Sequence, residues 1–174
     1  MLAIKAVFPT GLKDSVKAAF PNLHSIIKPE FLPNSYILNG HWIAGFTQAD
    51  GSFNLNYYKA SRMKLGYSVQ PAFRITQHQR DIVVLKRIIE YFGCGFLSEK
   101  RGIYVYDLCI NKISNLVNII LPFFQQYSIF GAKYLDLLDF KKGVYIVNNK
   151  GHLTPEGLNE LKIWTYGMNS FRKF

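Results

Sequence analysis

Trp42-Ile43-Ala44-Gly45-Phe46-Thr47-Gln48-Ala49-Asp50-Gly51 joins three small residues to an acid at the C-terminal end of an apolar run. Asn39 or Asn34 offers a cap in front and Gly51 a stop behind, so the spacing predicts a helix ending at Asp50. The helix macrodipole puts partial negative charge at that end and disfavours an acid there by about 0.3–1 kcal/mol unless a cation compensates. A divalent metal ion is one such cation; a solvated surface cap is the plainer alternative. Gly45 and Ala49 lie one turn apart, and small residues so spaced let a second helix approach closely, setting two Asp50 carboxylates side by side across a two-fold axis. Ile43, Gly45, Phe46 and Ala49 are the expected interface.

Two half-buried strands should follow. In 52–58, Phe53, Leu55 and Tyr57 alternate with Ser52, Asn54, Asn56 and Tyr58. In 67–77, Tyr67, Val69, Pro71, Phe73 and Ile75 alternate with Ser68, Gln70, Ala72, Arg74 and Thr76. A basic loop with Lys59, Arg62 and Lys64 joins them. Ile82, Leu85, Ile88, Ile89 and Phe92 then fall at helical spacing, closed by Gly93 and Gly95. A second hairpin is expected over 95–110 with its turn at 99–102, and a helix over 111–127 kinked by Pro122. The order is α-β-β-α-β-β-α. A further helix is expected over 132–142, and Thr154-Pro155-Glu156 starts a last one reaching to Phe171. Residues 1–38, with a short helix over 12–20 and then Pro21, Pro29 and Pro33, read as a lead-in arm, and 39–174 as one domain.

Composition limits the function. At 49% hydrophobic and 16% aromatic residues the chain is built to fold rather than to stay disordered, and no run is apolar enough to span a membrane. Cys94 and Cys109 are too few for a disulfide framework, and His24, His41, His78 and His152 are too scattered for a zinc site. With 21 Lys+Arg against 11 Asp+Glu, the net charge of +10 favours a polyanionic partner, nucleic acid before membrane. Abundant Phe, Tyr, Ile, Asn and Lys suit the AT-rich coding of a mitochondrion or chloroplast, and no import or secretory signal is expected.

From Ile43 to Ser52 the sequence resembles the LAGLIDADG homing endonuclease family, followed by its Phe; Pro71-Ala72-Phe73-Arg74-Ile75-Thr76-Gln77 and the element order extend the likeness over 34–142. The resemblance implies an α+β fold, the αββαββα half-saddle of that family, here with extra C-terminal helices. It implies that Asp50 and the backbone carbonyl of Ala49 hold a catalytic Mg²⁺, that Gln77 orients solvent, and that Lys133 is the basic residue near the scissile phosphate, with Lys100 as rival. Gln48 stands where the family's name has Asp, a position that caps or packs. The single motif implies either a homodimer or pairing with a second LAGLIDADG half; the lead-in resembles the segment preceding the second motif in two-motif members.

The polar strand faces suit a DNA major groove, where Asn, Gln and Arg can pair with base edges. Ser52, Asn54, Asn56, Tyr58, Ser68, Gln70, Arg74, Thr76 and, less directly, Ser98, Lys100 and Asp107 make up that face. Eight strand residues at about 3.3 Å each span roughly 26 Å, several base pairs. Lys59, Arg62, Lys64, Lys100 and Arg101 at the hairpin tips are suited to phosphates. The expected function is a site-specific, divalent-metal-dependent endonuclease making double-strand breaks in a long DNA target. The alternative is a catalytically silent nucleic-acid-binding protein of the same fold, either an RNA splicing factor or maturase or a ribosome-associated structural component.

Overall fold

A computed structural model describes residues 13–21, 38–100 and 102–169. Most of the lead-in, with Asn34, and also Arg101 and Phe171, lie outside the described residues. The chain divides into two units between residues 37 and 38. The described part of the first holds one short helix, α1 (Asp14–Ala19), with an exposed Lys17–Asp14 ion pair at 3.0 Å.

The second unit runs α2 (Gly40–Asp50), β1 (Gly51–Lys59), β2 (Tyr67–His78), α3 (Ile82–Phe92), β3 (Phe96–Lys100) and β4 (Val105–Ile110), and continues with helices only. Those are α4 (Ile113–Asn115), a π-helical turn (Leu116–Ile120), α5 (Leu121–Gln126), α6 (Gly131–Asn148) and α7 (Pro155–Tyr166). The fold is α+β, with the expected α-β-β-α-β-β order. Its antiparallel sheet has the strand order β1-β2-β4-β3.

One sheet face is apolar because the alternation seen in the sequence is kept in register. Phe53 pairs with Phe73, Leu55 with Pro71, Phe73 with Ile110 and Ile75 with Leu108. The helices cover this face. Phe53 lies 5.5 Å from Phe73, 5.4 Å from Phe124 and 5.2 Å from Phe140, ring to ring, and all four are buried. Each such side chain removed from water contributes on the order of 1.5–3 kcal/mol, so this cluster is the main anchor of helices onto sheet.

Local signals act as their chemistry predicts. Asn39 accepts the His41 N–H at 2.8 Å and starts α2; Thr154 Oγ1 accepts the Gly157 N–H at 3.2 Å and starts α7. Gly93, at φ +64°, ends α3 in the left-handed region that glycine enters without a Cβ clash.

Four expectations need correction. Glu99 and Lys100 belong to β3 rather than to the turn of the second hairpin, whose described turn residues are 102–104. The helix expected over 111–127 is not regular throughout: the chain widens into a π turn just before Pro122, which gives the ring room against the preceding carbonyls. The helix expected over 132–142 continues to Asn148 because Gly143 is a packing residue and not a stop: a Cβ there would sit 2.5 Å from Leu55 Cδ1. Finally, α7 ends at Tyr166, short of the expected Phe171, and Tyr166 is exposed.

Candidate functional site

The end of α2 runs without a linker into β1, and this junction assembles the site. Gly51 is the cap of α2, its N–H donating to the Thr47 carbonyl, and the first residue of β1. A Cβ at Gly51 would lie 2.5 Å from Thr47 Cγ2 and 2.7 Å from Thr47 O, so glycine is required for close approach. Gly51 pairs with Ile75 on β2. Gln77, two residues on and pointing to the same face, therefore comes beside Asp50, and its Nε2 donates to Asp50 Oδ2 at 2.7 Å. From α6, Lys133 Nζ makes a short hydrogen bond to the Gly51 carbonyl. Gln77, through the Asp50 carboxylate, and Lys133, through the Gly51 carbonyl, are thus both brought to the α2–β1 junction, although 82 residues separate Lys133 from Gly51.

Lys100 is elsewhere. It sits on β3, the far edge of the sheet from β1, about three strand spacings or roughly 14 Å away, and pairs with Asp107 at 3.2 Å.

Asp50 is exposed, and its Oδ1 has no hydrogen bond among the described residues. The carbonyl of Ala49, in the last turn of α2, belongs to the set that a helix leaves without an intrahelical partner. These are two oxygen donors of the kind a hard divalent cation takes. Among the described residues no group of three or more His, Cys, Asp or Glu gathers, so this chain's side chains do not form a closed cage. Mg²⁺ suits such an open set, since it keeps waters and completes its shell with substrate phosphates.

The polar face of the sheet carries Ser52, Asn54, Asn56 and Tyr58 of β1, paired with Arg74, Ala72, Gln70 and Ser68 of β2. Thr76 of β2 and Ser98 of β3 both pair with Asp107 of β4 on this face. Lys59, Arg62 and Lys64 are exposed at the tip of the first hairpin. Some of these groups already have partners: Asn54 Nδ2 donates to Ser52 Oγ at 3.0 Å and Asn56 Nδ2 to the Gln70 carbonyl at 3.2 Å.

Asp107 is a correction. Its side chain is 3% exposed, so it is not a contact residue but a buried anchor beneath the face. Thr76 Oγ1 donates to its Oδ1 at 2.6 Å, Lys100 pairs with the same oxygen at 3.2 Å, and Arg74 Nη1 lies 3.5 Å from Oδ2. One carboxylate therefore orients two cations that are themselves partly open to solvent. Cys109 faces the same way beside Arg74, and burial pushes its thiol up despite the opposing guanidinium, so it stays protonated at neutral pH. That makes it a filler, not a nucleophile.

Ile43 is a second correction: it is fully buried in the core and cannot line an interface. On a helix turning about 100° per residue, Gly45, Ala49 and Trp42 share a face from which Ile43 is rotated by about a quarter turn or more. Gly45 and Ala49 are exposed, Phe46 is half-buried, and the 45%-exposed Trp42 stacks on Phe46 at 5.0 Å. Trp42, which is not among the expected interface residues, shares this exposed face by the same helical spacing.

The residues at this site are those covered by a family model: residues 43–144 match the one described as LAGLIDADG endonuclease. A probable intron-encoded endonuclease 3 from Neurospora crassa is 36% identical over 160 residues, which are 92% of this chain and 30% of that protein. The I-SmaMI LAGLIDADG homing endonuclease bound to cleaved DNA superposes with a TM-score of 0.85 at 38% identity, over 99% of this chain and 57% of that one. I-SmaMI bound to an uncleaved DNA target in the presence of calcium ions gives 0.83 at 39% identity, over 97% and 57%. The chain thus spans well under two thirds of the length of these relatives. With the motif helix, the four-stranded sheet and the matched segment in agreement, the chain belongs to the LAGLIDADG endonuclease family.

Proposed function

We propose that this chain is a site-specific DNA endonuclease subunit that hydrolyses phosphodiesters with a divalent cation, either as a homodimer or paired with a second LAGLIDADG half. The observation that carries the reading is that Gln77, bonded to the Asp50 carboxylate, and Lys133, bonded to the Gly51 carbonyl, converge on the junction of α2 and β1, where a polar sheet face begins. Asp50 Oδ1 and the Ala49 carbonyl would hold Mg²⁺, which when bound stabilises charge developing on phosphate oxygens. Gln77 uses its Nε2 on Asp50, which leaves its Oε1 free to accept from and orient a water molecule. Lys133 places a cation on the neighbouring Gly51 carbonyl, from which it could meet a phosphate held at Asp50.

Support for DNA comes from the charge of +10 and from the DNA-bound structural relatives. Lys59, Arg62 and Lys64 would meet phosphates, and Ser52, Asn54, Asn56, Tyr58, Ser68, Gln70, Arg74, Thr76, Ser98 and Lys100 would face base edges or the adjoining backbone. One chain carries one Asp50, whereas cutting both strands calls for two, which is the reason for pairing. An organelle genome as the source fits the AT-favouring composition and a relative named intron-encoded.

The test is cleavage of a randomised duplex library by the purified chain. Cutting at one long sequence in Mg²⁺, and none after chelation, is expected. No cutting and no affinity for duplex DNA, with tight binding to structured RNA, would overturn this reading in favour of a silent RNA-binding role.

Asp107 offers a separate check on the reading face. Asp107→Asn removes the anion that orients Arg74 and Lys100, so binding to unrelated DNA should tighten and become more salt-dependent. The ratio of target to non-target affinity should fall about tenfold, roughly 1.4 kcal/mol. Titrations at several salt concentrations measure both, and an unchanged ratio would leave Asp107 as a sheet anchor only.

A further inference from the structure

Residue 48 has no part in the chemistry above, yet its side chain makes a tether across 82 residues, the same sequence separation as that between Lys133 and Gly51. Gln48 Nε2 donates to the Phe130 carbonyl at 2.9 Å, and Gln48 Oε1 accepts the Phe130 N–H at 2.8 Å. A peptide offers one donor and one acceptor, and only a primary amide matches both. A carboxylate, as in the family's name, can accept from the N–H but cannot serve the carbonyl.

Phe130 is the residue just before α6, in extended backbone and without a side-chain cap, and Gly131 follows at φ +60°. The phenyl ring is 73% exposed. The core anchors on either side are Ile129 and then Asp136 and Leu137; between them 130–135 are exposed or half-buried. Lys133 lies within that stretch. Gln48 and Gly51, about one turn apart on the motif side, therefore hold Phe130 and Lys133, about one turn apart at the start of α6.

We infer that Gln48 is a positioning residue for Lys133: the amide pair fixes the first turn of α6 so that the lysine ammonium stays on the Gly51 carbonyl, next to Asp50 in the chain. The catalytic consequence rests on the nuclease reading; the tether itself does not.

Two variants test it, Gln48→Glu, which keeps the shape but loses the donor, and Gln48→Met, which keeps the length but loses both polar groups. The side chain is exposed, so both should fold, as checked by circular dichroism and melting. The first readout needs no DNA: limiting acetic anhydride followed by peptide mass spectrometry should show several-fold faster acetylation of Lys133, with the exposed Lys59 and Lys64 unchanged. The second is single-turnover cleavage, which should fall about 10- to 100-fold, the scale of a misplacement near 1 Å, while DNA affinity in calcium holds. Unchanged Lys133 reactivity in both folded variants would overturn the positioning role whatever happens to cleavage. Raised reactivity with undiminished cleavage would overturn its catalytic consequence. A wild-type protein that cuts no DNA but shows the same acetylation contrast would refute the nuclease reading and uphold the tether.

Discussion

Asp50→Asn is expected to lower single-turnover cleavage in Mg²⁺ by about three orders of magnitude, roughly 4 kcal/mol of transition-state stabilisation. DNA affinity measured in calcium should stay within about twofold, because the groove and phosphate contacts lie on the sheet and its tips. The substitution also isolates purpose from structure. An acid in the last turn of α2 opposes the helix dipole, so removing its charge should leave stability unchanged or raise it by about 0.3–1 kcal/mol. Asp50 is exposed, and Gln77 can turn its amide to meet the asparagine, so no buried partner is orphaned. Lost cleavage with kept stability and kept affinity is the signature of a group present for chemistry. Cleavage at the wild-type rate would remove Asp50 from the site.

The readable parts of this molecule were those governed by local rules. The period-two alternation in β1 and β2 fixes which side chains share a face, and the polar residues expected to face away from the core lie exposed or half-buried, with only the small Ala72 of that set covered, because register couples the two strands residue by residue. Asn39, Gly93 and Thr154 act within a few residues of themselves, so their roles were visible without a fold. Ile43 was misplaced for an avoidable reason: the helical wheel assigns the exposed face to Trp42, Gly45 and Ala49. Asp107 was different. Its position on the polar face is readable, but its burial depends on Arg74 and Lys100 folding over it from two other strands. The clasp of Gln48 on Phe130 had no local signal, since it joins an exposed amide to a backbone group 82 residues away. Contacts of that kind are set by how α6 lies on the sheet, which in turn depends on Gly143 admitting Leu55.

Gly45→Arg should abolish pairing of the chain while leaving the chain itself intact or slightly more stable. Among the described residues nothing lies within 4 Å of where a Cβ at Gly45 would be, and the residue sits in the interior of a regular helix. Replacing glycine there should gain about 0.5–1 kcal/mol of helix propensity. Against a facing helix the same side chain is a steric and charged obstacle placed where close approach is needed, and loss of that contact should weaken association by more than about 100-fold, roughly 2.7 kcal/mol. Sedimentation measures the pairing, and melting at low protein concentration separates the chain's own stability from that contributed by a partner. Double-strand cleavage should disappear with pairing, because each chain brings a single Asp50. An unpaired wild-type chain that cuts both strands, or a variant that still pairs normally, would overturn the exposed Trp42, Gly45 and Ala49 face as the joining surface and with it the two-carboxylate site.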